Sequence, residues 1–220
     1  SYSYGVLAED WAGNLSGGCA SLLVAAVDSD ACGEPWTGSA PVAASAGSGL
    51  LNPSAAWDGA AYGVVWQDNL SGNWEIFFAR VAPDGTVLVP AARLTNATGD
   101  SVAPAIAWDG SEFGVAWQDA RTTTTDIYYT RVDTLGNKIG ADVQVTSDAG
   151  MSLDPSIVWT GTEFGLAWED TRTTVRDLYF ARLTPAGNKL ETERQITTDA
   201  AISSQPSLVW TGSGYGLAWL

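Results

Sequence analysis

The chain has 220 residues, with 10 Lys plus Arg against 25 Asp plus Glu, and its net charge of −15 at pH 7 argues against a nucleic-acid backbone or an anionic membrane surface as partner. It contains no histidine, so no Ser/His/Asp, Cys/His or zinc constellation can be assembled, and most hydrolytic chemistry is excluded with them. No apolar run approaches the ~18 residues that cross a bilayer, and Ser1 opens the chain without a charged leader, so the expectation is a chain without membrane insertion from which any secretion signal has gone.

In chain order, Tyr4 to Asp10 matches Tyr62 to Asp68 and so reads as the second strand of an aberrant opening copy of a repeat. The only cysteines, Cys19 and Cys32, fall in that copy, where a local disulfide would imply an oxidising compartment. Two free, buried thiols are the alternative. Trp11 and Trp36 in this region, with Trp74 further on, lie outside the repeated positions and are candidates for an exposed ligand contact.

From Pro53 onward the pattern becomes regular. Pro53, Pro104, Pro155 and Pro206 are spaced 51 residues apart, and each opens the same run: Trp57, Trp108, Trp159, Trp210; Gly59, Gly110, Gly161, Gly212; Trp66, Trp117, Trp168, Trp219. About half the positions of the second and third full copies are identical. Within one copy, Pro104 to Trp108 is a short extended segment and Asp109-Gly110 is the tight turn that needs positive φ. In the returning strand, Phe113, Val115 and Trp117 share one face while Gly114, Ala116 and Gln118 share the other. A bulky face and a small face suit sheets stacked around a ring. A third strand from Asp126 to about Val132 is apolar on both faces. The turn Asp133 to Asn137 leads to a shorter, more polar fourth strand around Asp142 to Thr146, and Thr95, Thr146 and Thr197 mark its end in each copy.

The fold class is therefore all-β, a β-propeller of four-stranded antiparallel blades, in one domain over 1–220 with repeats at roughly 1–52, 53–103, 104–154, 155–205 and a partial 206–220. The opening copy starts on a second strand and the last ends on one, which gives seventeen expected strands and about five partial or complete blades. Either another copy of the chain closes the ring, or sequence is missing, or the last strands complete the first blade with one strand spare.

Trp117-Gln118-Asp119-Ala120-Arg121, then Asp126 to Asp133 and Gly136, recur from Trp168 to Gly187 and resemble a repeat found in arrays in secreted and surface bacterial β-propeller proteins. The resemblance covers nearly the whole chain. It implies a secreted or cell-surface location and a scaffold of a kind that mostly lacks an assigned activity. Trp66 to Gly85 departs from it with Leu70 where the other copies have Arg121 and Arg172.

Two chemistries recur in every blade. Asp68, Asp119 and Asp170 follow the second-strand tryptophan, and Glu75, Asp126 and Asp177 open the third strand, so one rim should carry carboxylate clusters that could hold Ca²⁺. The other reading is structural: the first Asp caps its own loop amides and the second pairs with Arg121 or Arg172. The eleven tryptophans raise lectin-like stacking on a pyranose, against which Trp57, Trp66 and their equivalents read as core residues between blades. Arg121 and Arg172 are counted with the ligand candidates, whereas Arg80, Arg131 and Arg182 read as structural partners of a carboxylate on the adjoining blade.

A catalytic site is needed once, whereas each notable residue here recurs, and the Ser-x-Asp-x-Gly-x-Thr-Trp box of sialidase-type propellers is absent. The expectation is a non-catalytic binding scaffold, not an enzyme, with a glycan or another protein as partner. The alternative is a structural module that forms a homo-oligomer through its incomplete end blades. A carboxylate-pair glycoside hydrolase is a distant third.

Overall fold

The structure is a computed structural model that describes residues 20–24, 40–45 and 50–220. Tyr4 to Asp10, Trp11, Cys19, Cys32 and Trp36 lie outside the described residues, and with them the opening strand, the disulfide and two of the tryptophan contacts.

Two strands of the opening copy, β1 (Ala20–Val24) and β2 (Ala40–Ser45), pair antiparallel. Three four-stranded meanders follow. The first is β3 (Leu50–Trp57), β4 (Tyr62–Asp68), β5 (Glu75–Val81) and β6 (Val87–Arg93). The second is β7 (Ser101–Trp108), β8 (Phe113–Asp119), β9 (Asp126–Val132) and β10 (Lys138–Gln144). The third is β11 (Ser152–Trp159), β12 (Phe164–Asp170), β13 (Asp177–Leu183) and β14 (Arg194–Gln195). A last hairpin joins β15 (Ser207–Trp210) to β16 (Tyr215–Ala218). The inner strands β3, β7, β11 and β15 neighbour one another in order, which makes each sheet a blade and sets the blades side by side about a common axis.

The first hairpin of each blade forms as its residues dictate. Gly59 and Gly110 take φ of 99° and 102°, where a Cβ would be strained, and the preceding Asp58 and Asp109 accept the amides of the turn at 2.7 to 2.8 Å. Thr160 replaces the aspartate in the third blade and caps Glu163 N–H with its hydroxyl at 3.2 Å.

The core lies between blades rather than within them. Val65, Ile76 and Phe78 of the first blade pack on Phe113, Val115 and Trp117 of the second, and Ala107, Ala116 and Tyr129 of the second pack on Phe164, Leu166 and Trp168 of the third. The small face is small because the next blade's ring fills it. A Cβ on Gly63 would sit 2.5 Å from Phe113, and one on Gly114 would sit 2.7 Å from Phe164.

Two strand boundaries differ from expectation. The inner strand begins three residues before its proline, at Ser101, because Ser101 and Val102 pair with Asp119 and Gln118 before the register slips at Ala103-Pro104. The outer strand begins at Lys138 and ends at Gln144, because Lys138 and Ile139 pair with Val132 and Arg131 straight after the turn. Thr146 lies past the strand, where its hydroxyl accepts Ile127 N–H at 2.8 Å and donates to Asp126 at 3.2 Å; Thr95 and Thr197 do the same for Ile76 and Leu178. The first-strand tryptophans are also not core. Trp57 is 37% exposed and Trp108, Trp159 and Trp210 are half-buried beside an aromatic of the next strand, whereas Trp66, Trp117 and Trp168 are buried.

Candidate functional site

On the rim, the repeated carboxylates are met by groups of the chain itself. Asp119 is fully buried, and its oxygens accept from Arg121 Nε (2.8 Å) and Nη2 (2.6 Å), the Arg121 amide (2.9 Å), the Trp117 indole (2.8 Å) and Ser101 Oγ (3.0 Å). Asp170 repeats this with Arg172, Trp168 and Ser152. Burial pushes both carboxyls up, but the arginine fork, the indole and the loop amide outweigh it and hold them below the usual range. The guanidinium then lies 4.2 Å over the ring of Tyr128 or Tyr179 and reaches a further acid on the outer strand side, Asp142 at 3.1 Å or Glu193 at 3.0 Å.

This corrects the expected pairing. Arg121 and Arg172 turn back on the first aspartate, and the second is satisfied by hydroxyls and an amide instead: Asp126 by Thr122, Thr124, Gln144 and Thr146, Asp177 by Thr173, Gln195 and Thr197. Both arginines are thus engaged by carboxylates of the chain, Arg121 within its own blade and Arg172 also by Asp148 of the preceding link. Among the described residues no group of three or more His, Cys, Asp or Glu side chains is arranged to hold a metal ion. Arg80, Arg131 and Arg182 also stay in their own blade, on Asp58 (2.6 Å), Glu112 (3.1 Å) and Glu163 of the first hairpin, rather than crossing to the adjoining one. Trp74 is half-buried, and its amide is held by Asp100 at 3.0 Å.

The concave face at the axis is different. The inner strands β3, β7 and β11 each break register at one point, between Leu51 and Ser54, Val102 and Ala105, and Leu153 and Ser156, where a proline offers no N–H to the ladder. The residue before the proline has positive φ in every copy, although none is glycine: Asn52 (51°), Ala103 (49°), Asp154 (47°) and Gln205 (54°). A left-handed conformation costs such a residue about 1 kcal/mol, and here the neighbouring blade holds it in place. Gln67 Oε1 accepts Ala103 N–H at 2.8 Å, Gln118 Oε1 accepts Asp154 N–H at 2.9 Å, and Glu169 Oε1 accepts Gln205 N–H at 2.6 Å. The residue after each second-strand tryptophan therefore latches the next blade's bulge.

These bulges line a cavity of about 460 Å³, with Asn52, Asp154 and Gln205 exposed on its wall and Ser54 and Ser156 beside them. In the first blade Asn52 Nδ2 donates to Gln67 at 3.0 Å. In the third, the same two positions are Asp154 and Glu169, and Arg176 Nη1 lies 2.8 Å from Glu169. Partial desolvation, then the adjoining Glu169 carboxyl, holds Asp154 above the ordinary range, with Arg176 opposing. A raised carboxyl favours the folded state when protonated. Its contribution is fully present below the unfolded value of 3.8 and is lost as pH rises through the elevated folded one. Asp154→Asn, which restores the amide chemistry of the first blade, should raise the melting temperature at pH 7 and leave it unchanged at pH 3. Thermal melts of both proteins across that range check it.

The bulge was missed in the sequence because the residue before each proline differs from copy to copy; only the recurring proline and the Gln or Glu after the tryptophan hinted at it.

No family model matches the chain, and no curated protein matches it. Among solved structures it is similar to TolB from Acinetobacter baumannii (16% identity, TM-score 0.54, 93% of this chain and 47% of that one). It is also similar to a GH43 endo-arabinanase from Bacillus licheniformis (12%, 0.54, 76% and 64%). A subtype N10 neuraminidase-like protein of A/little yellow-shouldered bat/Guatemala/060/2010 gives 8% identity and a TM-score of 0.52, over 73% of this chain and 48% of that one. The chain thus spans less than two thirds of each of these structures. At such identities the likeness is one of fold, and with the meandering blades and their inner strands it makes this chain a β-propeller.

Proposed function

We propose that the protein is a non-catalytic binding scaffold of the cell exterior that takes a neutral or cationic polyhydroxylated ligand, carbohydrate in class, in the central cavity. One observation carries this reading. Four copies keep the same left-handed residue before the proline, three of them latched by the preceding blade, yet place four different residues, Asn52, Ala103, Asp154 and Gln205, around one cavity. Packing alone would favour the same residue at each, as it does at Trp66, Trp117 and Trp168. A volume of about 460 Å³ falls in the range of small-ligand sites, and amides, hydroxyls and a carboxyl both donate and accept as sugar hydroxyls require. Asp154 on the wall and the net charge of −15 disfavour anions. Similar folds that bear carbohydrate-enzyme names, such as the endo-arabinanase, accord with this ligand class.

A hydrolase would need two carboxyls about 5 Å or more apart across the scissile bond. Asp154 and its neighbour Glu169 are the carboxyls at this wall, and release of reducing ends is the measurement that separates such chemistry from binding.

Calorimetric titration with neutral and amino-substituted oligosaccharides should give saturable binding to the native protein, weakened about tenfold in Asn52→Ala and in Gln205→Ala. A blank panel at millimolar sugar, or binding that ignores both substitutions, would remove the reading. New reducing ends in the same mixtures would replace it with the hydrolase.

A further inference from the structure

The rim of the first complete blade retains the receptor that its sister blades fill, but not the occupant. Asp68 stands at the register of Asp119 and Asp170, at the end of the second strand opposite Glu75, as those stand opposite Asp126 and Asp177. Phe77 faces Trp66 across the ladder, as Tyr128 faces Trp117 and Tyr179 faces Trp168, and its ring stacks 6.0 Å from that indole. At the arginine position is Leu70, 64% exposed. The serine and the outer acid are also replaced: 51 residues before Ser101 and Asp142 stand Leu50 and Ala91.

The consequences appear in the hydrogen bonds. Asp68 is buried, and among the described residues it accepts from the Leu70 amide at 2.8 Å and has no cation against it. The Trp66 indole N–H, whose equivalents donate to Asp119 and Asp170, is buried without a partner, and so is Asn69 Oδ1. A buried carboxylate without its counter-ion, an idle amide oxygen and an aromatic wall lie at the loop end of the β4–β5 hairpin, where leaving the polar groups unmatched is costly.

We propose that Asp68, Asn69 and Phe77 form a receptor for an alkylguanidinium group carried by a ligand. Asp68 takes a forked pair of N–H donors, as Asp119 takes them from Arg121, and the planar cation lies on the aromatic ring, as Arg121 lies on Tyr128. A guanidinium matches this set better than an ammonium, because only a flat fork serves two carboxylate oxygens and a ring face together. The site is separate from the central cavity and stands or falls without it. The guanidinium could belong to a free small molecule or to an arginine on a partner protein.

The test uses the full chain and N-acetyl-arginine amide, followed through the Trp66 indole N–H resonance, assigned with Trp66→Phe. The native protein should bind with a Kd of about 1 mM and shift that resonance, with N-acetyl-lysine amide at least about tenfold weaker. Leu70→Arg, which supplies the cation from within, should abolish binding and raise the melting temperature; Asp68→Asn, which keeps the oxygen that caps Leu70, should abolish binding alone. A peptide with a central arginine that binds more tightly than the free amide points to a protein partner, and equal affinity points to a free guanidino compound. An indole resonance that does not move, lysine binding as well as arginine, or a Leu70→Arg protein that binds like the native one would each overturn the proposal.

Discussion

Arg172→Ala is expected to lower the melting temperature by about 10 °C, the largest loss from any single rim substitution. The side chain of Asp170 is fully buried, and Arg172 is the only cation against it among the described residues. The same guanidinium holds Asp148 at 2.8 Å and Glu193 at 3.0 Å, so its removal also takes the cation from Asp148 and leaves Glu193 to Lys189 alone. Breaking a buried pair from one side costs about 3 to 5 kcal/mol, because the remaining charge stays desolvated. Arg172→Lys should recover only part of the loss, since an ammonium cannot supply the fork to Asp170 or the flat contact with Tyr179. Thermal melts near neutral pH measure it, and a change of less than about 2 °C would show that the pair contributes nothing net.

Gly150→Ala should cost about 3 kcal/mol through the same loop. A Cβ there would lie 2.3 Å from the Arg172 amide nitrogen and 2.6 Å from its Cα, so it meets backbone that cannot rotate away. The link is pinned on both sides: Met151 N–H donates to Thr171 Oγ1 at 2.8 Å, and Thr171 N–H donates to Met151 O at 2.9 Å. Because the added methyl displaces the segment that sets Arg172 against Asp170, its effect should not add to that of Arg172→Ala. The double variant should lose clearly less than the sum, as denaturant unfolding of the four proteins would show. Gly165→Ala makes a useful contrast. Its Cβ would approach Tyr215 to 2.3 Å, a ring held by Glu163 through its hydroxyl at 3.0 Å, but the clash is with side chain rather than backbone.

Much of the scaffold was legible before any coordinates. The 51-residue period, the Asp-Gly turns and the alternation of Phe113, Val115 and Trp117 against Gly114 and Ala116 are local or repeated signals, and they placed the blades and their packing faces. The rim carboxylates were also visible, but their partners were not. Sequence order set Asp126 as a natural match for Arg121, whereas the short loop folds the guanidinium back onto Asp119 and leaves Asp126 to Thr146, just past the outer strand.

What the sequence alone determined is the repeat, the all-β blade and the absence of histidine chemistry, because period, turn residues and composition are properties of neighbours along the chain. What only the tertiary structure decided is where the copies differ to effect. The strained residues at the cavity wall are held by Gln67, Gln118 and Glu169 from another blade, 36 positions away, and Asp68 is unmatched only by comparison with its folded sisters. The first depends on contacts across the seam between blades; the second was marked in the sequence by Leu70, but only the folded loop shows that the arginine of the sister blades turns back onto the buried carboxylate and that Asp68 is left without it.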